Sequence, residues 1–308
     1  MFQIANSLYL ILNSFTEINK VIVNILLVTA LTSVINIIPL LLTYKDNYKL
    51  IIPSKYQFND KINTPLYFGL LFGLSSVSIG HFFTLLYFYL LKNKYILSHL
   101  ILVQKKKLNN YNYYNALITH LFQHEGFIII GSYLVFTWNY KIMPSSYYSF
   151  VGNIIWKDVL LQLVIQDFLQ FIMHIIQHKS FTFLYKISHK PHHKFINPKL
   201  FDAFNGSYLD TLMMVIFPLL ITAQLVHTNV WSYITFGTIY ANWLVLIHSE
   251  YSHPWDFLFR LVGFGTSGDH HVHHKLFVYN YGHLFMYWDF LYGSYKNPLS
   301  IDLFNDEI

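Results

Sequence analysis

The sequence predicts an all-α integral membrane protein, built as a bundle of four to six apolar helices. Of the 308 residues, 54% are hydrophobic and only 11% are charged, whereas a soluble domain carries about 25% charged residues. Several apolar stretches also reach the ~20 residues that a helix needs to cross the hydrocarbon core of a bilayer. These observations exclude a disordered chain and an ordinary cytosolic protein.

Six stretches are candidate membrane spans: residues 21–42, 66–91, 116–138, 148–172, 209–226 and 230–247. The third is the least uniform, because His120, His124 and Glu125 fall in its first half. The last two are separated by only three residues and predict a tight hairpin. No internal repeat or Pro- and Gly-rich linker divides the chain, so we expect a single domain over residues 1–308.

Lysines predict the orientation of the bundle, because cytosolic loops are enriched in Lys and Arg. One lysine cluster lies in residues 92–107 and another in 179–199, with two predicted spans between them. Both clusters can therefore lie in the cytosol, and the hairpin returns the C-terminal residues to the same side. The excess of 20 Lys+Arg over 15 Asp+Glu fits this loop bias. With Arg260 as the only arginine, bidentate phosphate contacts and a nucleic-acid partner are not expected.

Histidine is the unusual residue, with 17 copies, and cysteine is absent. Three boxes hold eight of the histidines: His174 and His178, then His189, His192 and His193, then His270, His273 and His274. At this histidine content the HxxxH spacing is expected about once by chance, whereas HxxHH is expected far less than once and occurs twice. Offsets of three and four place side chains on one helical face. Each box therefore presents two or three imidazoles in one direction.

Local residues predict that the second and third boxes begin helices. Ser188 is the expected N-cap of the second box, with Pro191 in the first helical turn, where its missing N–H costs nothing. Ser267 or Asp269 is the expected cap of the helix that carries the third box.

Eight imidazoles exceed the three or four ligands of a mononuclear zinc site, so the boxes predict a cytosolic cap that binds two metal ions. Imidazole binds Fe, Zn, Cu and Ni alike. The absence of thiolates and the neighbouring apolar bundle, where oxidation of a lipid C–H bond makes chemical sense, favour two Fe ions, with zinc possible as purified. An alternative of another class is a histidine-rich membrane metal transporter or sensor.

Residues 155–298 resemble the sterol desaturase/fatty acid hydroxylase superfamily of membrane di-iron oxygenases, which has three histidine boxes in this order and an apolar hairpin between the second and third. The closest likeness is to the sterol C-5 desaturases, or lathosterol oxidases, and is carried by residues 184–193, 273–282 and 288–298. The resemblance implies that the eight boxed histidines are metal ligands and catalytic residues. It adds His248 as a ligand, and Asp167 as a residue that holds a ring N–H of one ligand.

The resemblance also implies an activity: O₂ and external electrons would oxidise a C–H bond of a sterol or another lipid. Sterol C-5 desaturation is the first expectation, and hydroxylation of a sterol methyl group, a sterol side chain or a sphingoid base is the alternative. A cytochrome b5-type electron donor and the endoplasmic reticulum membrane are implied in the same way. The chain departs from the C-5 desaturases at Phe204 and Ser207, where that group keeps histidines, and has Asp269 where many members have a further histidine.

Histidines outside the boxes have less specific interpretations. His81 is expected to pack between helices, and His99 and His227 to lie in loops. His271 is expected on a different face from the ligands that flank it. Four more could reach the site from neighbouring segments: His120, His124, His253 and His283.

Overall fold

The computed structural model describes residues 37–51, 67–92, 101–105 and 111–306. Within these ranges the regular structure is helical, and β-pairing is limited to isolated antiparallel bridges such as Phe264 with Phe285. The prediction of an all-α membrane bundle is confirmed. Of the first predicted span, residues 21–36 lie outside the described residues, and residues 37–43 are helical.

The helices follow one another with short connections. In chain order they are α1 (Tyr48–Ile51), α2 (Tyr67–Lys92), α3 (Tyr113–Leu121), α4 (Ile129–Asn139), α5 (Trp156–Lys179), α6 (Thr182–Ile187), α7 (Tyr208–Thr211), α8 (Phe217–Leu225), α9 (Val230–Ile247), α10 (Asp256–Leu261), α11 (Ser267–Leu276) and α12 (Tyr287–Tyr292). Two π-helical turns, His124–Ile128 and Leu212–Ile216, precede α4 and α8. Short 3₁₀ turns lie at Tyr44–Asp46, Ser145–Tyr148, His192–Lys194, Leu200–Asp202 and Pro298–Ser300.

Four helical segments of the described residues are long and apolar enough to cross a membrane: α2, α5, the continuous segment Tyr208–Leu225, and α9. Three of them match the spans predicted at 66–91, 209–226 and 230–247 to within a residue or two. About 67% of the spanning part of α9 is buried, against 28–39% for the other three. Helix α9 is therefore the centre of the bundle, packed against α2 and α5, and the others turn more of their surface to lipid.

The span predicted at 148–172 begins and ends too early in the sequence. Helix α5 begins only at Trp156 and continues to Lys179. Gly152 has φ +90°, a left-handed conformation that ends regular structure before the helix. The later start carries the first histidine box into the last two turns of a membrane-spanning helix.

The span predicted at 116–138 is wrong as a single helix. It divides into α3, a π-helical turn and α4, with the break after Phe122. The Thr211 hydroxyl donates to the carbonyl of Glu125, which draws that oxygen towards the neighbouring segment. Close packing adds to the distortion, because a Cβ on Gly126 would lie 2.8 Å from the Phe204 carbonyl oxygen.

Candidate metal centre

The structure brings nine histidines together in two adjacent groups at one end of the bundle. The first group is His174, His178, His189, His193 and His273; the second is His192, His248, His270 and His274. Within each group the potential ligand atoms lie within 4.8 Å of one another. These nine are the residues that the sequence and the family resemblance nominated as ligands.

The first histidines of the centre come from helix ends. Helix α5 presents His174 and His178 from successive turns, and His248 follows the last residue of the central helix α9. Spanning helices packed on one another therefore fix the positions of three imidazoles. At a helix end, the helix holds the backbone of the ligand in place, and the imidazole ring can lie beyond the apolar layer.

The second box does not begin a helix, and the predicted cap at Ser188 is wrong. Ser188 ends α6, and its hydroxyl donates to the Leu184 carbonyl, 2.6 Å away. The box continues as a turn and a single 3₁₀ turn, His192–Lys194. This tighter path sends His189 and His193 to the first group and His192 to the second. A regular helix would keep all three on one face.

The third box lies on α11, whose cap is one residue earlier than expected. Thr266 is the N-cap, and its hydroxyl accepts from the Asp269 N–H while the Asp269 carboxylate accepts from the Thr266 N–H, 3.1 Å away. Asp269 thus fixes the start of the helix from its third position. From α11, His273 enters the first group and the pair His270 and His274 enters the second.

Outer hydrogen bonds fix the ring tautomers of three histidines in the first group. The Nδ1–H of His174 donates to the Tyr281 carbonyl (2.7 Å), and that of His189 donates to the Asp210 carboxylate (2.8 Å). Their Nε2 atoms therefore carry lone pairs, and these two atoms face each other 2.9 Å apart. His273 donates to the Tyr279 carbonyl in the same way, at 2.8 Å.

Two histidines of the second group are oriented in the same way. His192 donates to the Asn205 carbonyl (2.9 Å) and His248 to the Leu244 carbonyl (2.6 Å). Their Nε2 atoms are 3.4 Å apart, and the Nε2 of His270 is 2.9 Å from that of His248.

Facing lone pairs repel each other unless a cation lies between them, and nitrogens bound at about 2.0–2.1 Å to one ion are about 3 Å apart. Both groups therefore fit a metal ion.

Burial keeps the imidazoles neutral. It lowers the pKa of His193, His270 and His273 well below the ordinary value, with neighbouring histidines adding to the effect. Burial lowers the pKa of His192 to about 4. A metal ligand must be unprotonated, so the centre is ready to bind a cation at neutral pH.

Asp167 lies beside the centre, but the expected contact with a ligand ring is wrong. Its carboxylate accepts from the backbone N–H groups of Leu284 (2.7 Å) and Phe285 (3.0 Å) and from the Trp288 indole (2.9 Å). It therefore anchors the loop whose Tyr281 carbonyl orients His174. The carboxylate on a ligand ring is Asp210, which the sequence reasoning missed. Its signal was an acidic residue at the start of the apolar stretch 209–226.

The other histidines of the described residues lie outside the two groups. His271 donates to the Ser249 carbonyl (2.9 Å) and contacts Gln104, as its different helical face predicted. His81 contacts Asn242 of α9 at 2.9 Å, which confirms a helix-packing role. The ring of His120 packs on His81, with ring centroids 5.0 Å apart.

Three more histidines also lie away from the two groups. His124 is exposed, His227 lies in the hairpin loop near Gln224, and His253 contacts Tyr87. His99 lies outside the described part of the chain.

His283, one of the four histidines that the sequence allowed to reach the site, lies next to both histidine groups. Its ring centroid is 5.1 Å from that of His174 in the first group and 5.1 Å from that of His270 in the second. It is buried and lines the small cavity next to the centre, together with His189, His192, His248 and Asp210.

That small cavity adjoins an apolar pocket of about 120 Å³ inside the bundle, lined by residues of α2, α4 and α9. The cavity and the pocket share Phe204, Val215 and Leu244 as lining residues. The histidines thus lie at the end of a space that extends into the membrane layer.

Comparison with known proteins identifies the family to which this chain belongs. The family model for fatty acid hydroxylases matches residues 159–294. An alternative squalene epoxidase from Phaeodactylum tricornutum is 48% identical, over 82% of this chain and 73% of the relative. The chain belongs to the sterol desaturase/fatty acid hydroxylase superfamily. It is a multi-pass membrane protein of an oxidoreductase family that acts on lipids.

Further superfamily relatives match shorter parts. A cholesterol 25-hydroxylase-like protein from Danio rerio is 30% identical over 59% of this chain and 71% of the relative. A Delta(7)-sterol 5(6)-desaturase from Leptosphaeria maculans is 35% identical over 41% of this chain and 32% of the relative. The predicted likeness to the sterol C-5 desaturases is thereby confirmed. No solved structure matches the chain significantly.

Proposed function

We propose that the protein is a membrane di-iron oxygenase that epoxidises a carbon–carbon double bond of squalene or a similarly apolar isoprenoid chain. The observation that carries this choice is the lining of the pocket that leads to the histidines. Of its 20 lining residues, only Trp138, Tyr233 and Tyr240 have polar side-chain atoms. The Tyr240 hydroxyl donates to Gln170, so it is already paired.

An apolar lining selects between substrate classes. A sterol carries a hydroxyl group, and burying a hydroxyl without a partner costs about 1–3 kcal/mol. Squalene is a hydrocarbon, so it loses no hydrogen bond to water when it enters such a pocket. The 48% identity to a protein named for squalene epoxidation supports the same choice.

The two histidine groups are proposed to hold one iron ion each, as the catalytic centre, and zinc is an expected substitute in purified material. Iron bound there would supply the activation of O₂. The chain's own residues orient the imidazoles through Tyr279, Tyr281 and Asp210 and keep bulk water from a buried site. In the overall reaction one oxygen atom of O₂ enters the alkene. The other leaves as water with two protons and two electrons.

The electrons must come from outside the centre, and we propose a cytochrome b5-type donor. Exposed lysines lie on the segments that cover the histidines: Lys179, Lys186, Lys190 and Lys194. Such a basic face favours an acidic partner protein. We propose that the same face lies on the cytosolic side and that the membrane is the endoplasmic reticulum. We also propose that the whole chain, 1–308, is one domain with its catalytic residues within 155–298.

Sterol C-5 desaturation is the second candidate. It is favoured by the identity of 35% to the fungal Delta(7)-sterol 5(6)-desaturase, within the part of the chain that this relative covers. In that case the sterol hydroxyl would have to remain outside the apolar pocket.

The test is expression in two yeast strains, one lacking its own squalene epoxidase and one lacking its C-5 desaturase. We expect squalene 2,3-epoxide, labelled with one ¹⁸O from ¹⁸O₂, in the first strain and no 5,7-diene absorption in the second. The His273→Ala variant, expressed at the same level, is the matched negative control. Diene formation without epoxide would contradict the proposal and favour the second candidate.

A further inference from the structure

We infer that the substrate enters sideways from the bilayer, through a passage beside α2 and α4 whose two junctions each include one residue of a π-helical turn. The nature of the occupant, a flexible hydrocarbon chain, rests on the proposed function. The passage itself rests on three adjoining cavities in the described residues. Each is lined by residues that also line the next.

The outermost cavity is an open groove of about 600 Å³ along α4. Its walls include the apolar side chains of Val135 and Phe136, which are 45% and 53% exposed on the outer surface of the bundle. Exposed apolar groups beside the spanning helix α2 face lipid rather than water. The groove therefore opens where a hydrocarbon dissolved in the bilayer can reach it.

The first junction joins this groove to the apolar pocket. Leu74, Phe127 and Gly131 line both spaces. Phe127 lies in the π-helical turn His124–Ile128, in which the Ile128 N–H donates to the Gln123 carbonyl at 3.1 Å. At Gly131 an added Cβ would meet nothing within 4 Å, so the glycine leaves free space beside the aromatic ring.

The second junction joins the pocket to the cavity at the histidines, where Phe204, Val215 and Leu244 line both spaces. Val215 belongs to the other π-helical turn, Leu212–Ile216. Such turns are rare in helices and are found frequently at functional sites. Here each of the two junctions includes a residue from one such turn.

The two turns are also connected to each other. Thr211, next to the second turn, donates its hydroxyl hydrogen to the Glu125 carbonyl in the first. Gly126 of the first turn packs on Phe204, with the position of a Cβ only 2.8 Å from the Phe204 carbonyl oxygen. The two junctions are therefore in direct contact with each other. A flexible chain can follow three successive cavities by bond rotation, whereas a fused ring system must pass as one body.

The first experiment narrows the entrance. Gly131→Leu fills the free space without a predicted clash of its Cβ. We expect kcat/KM for squalene in proteoliposomes to fall at least tenfold, with bound iron unchanged and the rate with the short alkene 2-methyl-2-butene retained. Ser145→Leu is the matched control, because Ser145 is exposed and lines none of the three cavities. Unchanged squalene kinetics in Gly131→Leu, or equal losses in both variants, would overturn the passage.

The second experiment does not depend on turnover. A squalene analogue carrying a diazirine is photolysed in vesicles with the inactive His273→Ala variant, and the labelled peptides are identified by mass spectrometry. We expect labels in 124–131 and 204–215, suppressed by excess squalene. Labels confined to other segments would overturn the passage. If the wild-type protein oxidises a sterol and no polyene, the proposed function fails, and Gly131→Leu with that sterol decides whether the passage holds.

Discussion

Asp210 offers the sharpest test of how the centre is built, because its carboxylate contacts the ring of only one proposed ligand. The contact with His189 is 2.8 Å long, and Gln177 donates to the same oxygen at 3.1 Å. In Asp210→Ala both donors lose their acceptor. A hydrogen bond to a charged group contributes about 1.5–3 kcal/mol, which corresponds to a 10–100-fold weaker hold on a metal ion. Removing a residue that orients a metal ligand typically weakens metal binding by a similar factor, about 10–100-fold.

The loss should be confined to the first histidine group. In the second group His192 and His248 donate to the carbonyls of Asn205 and Leu244, which the substitution does not touch. Competition with a chelator, followed by metal analysis, should therefore show one weakened ion and one unchanged ion per chain. Asp210→Asn keeps an acceptor oxygen and should lose less affinity. Asp302→Ala, at an exposed position, is the control. Equal weakening of both ions, or of neither, would refute the reasoning.

Three further predictions concern catalysis and stability. His273→Ala should abolish turnover and release one metal ion, whereas His227→Ala in the hairpin loop should keep both, as activity and metal assays will measure. Asp167→Asn should lower activity about 10–100-fold through the loop that orients His174, with its protein yield unchanged; full activity would contradict that role. Because burial lowers the pKa of His192 to about 4, the unfolded chain binds more protons below about pH 6.5. The melting temperature of the metal-free protein should therefore fall from pH 7 to pH 4, and a flat profile would contradict the burial.

The proposed ligands could be predicted because their spacing is local. The offsets between His270, His273 and His274 are visible in the sequence and survive folding as one helix, α11. His189, His192 and His193 form one box in the sequence, but that box folds as a turn rather than a helix and divides them between the two groups. The division of the histidines between two groups depends on that turn and could not be read from the spacing.

Other features depend on contacts between distant segments. Asp210 meets His189 only because the segments after α6 fold back over α5, and an acidic residue in an apolar stretch does not by itself identify its partner. The family resemblance implied that Asp167 holds a ligand ring, but its partners come from residues 284–288, far away in sequence. The break in the predicted span 116–138 likewise follows from Thr211 and Phe204.

The most direct test of the central claim is the amount of iron bound per chain in an active, detergent-purified preparation. Five histidines in one group and four in the other predict two iron ions per chain, lost together with epoxidation when a chelator removes them. A fully active preparation that contains one iron ion or none would contradict the assignment of the two histidine groups as a di-iron centre.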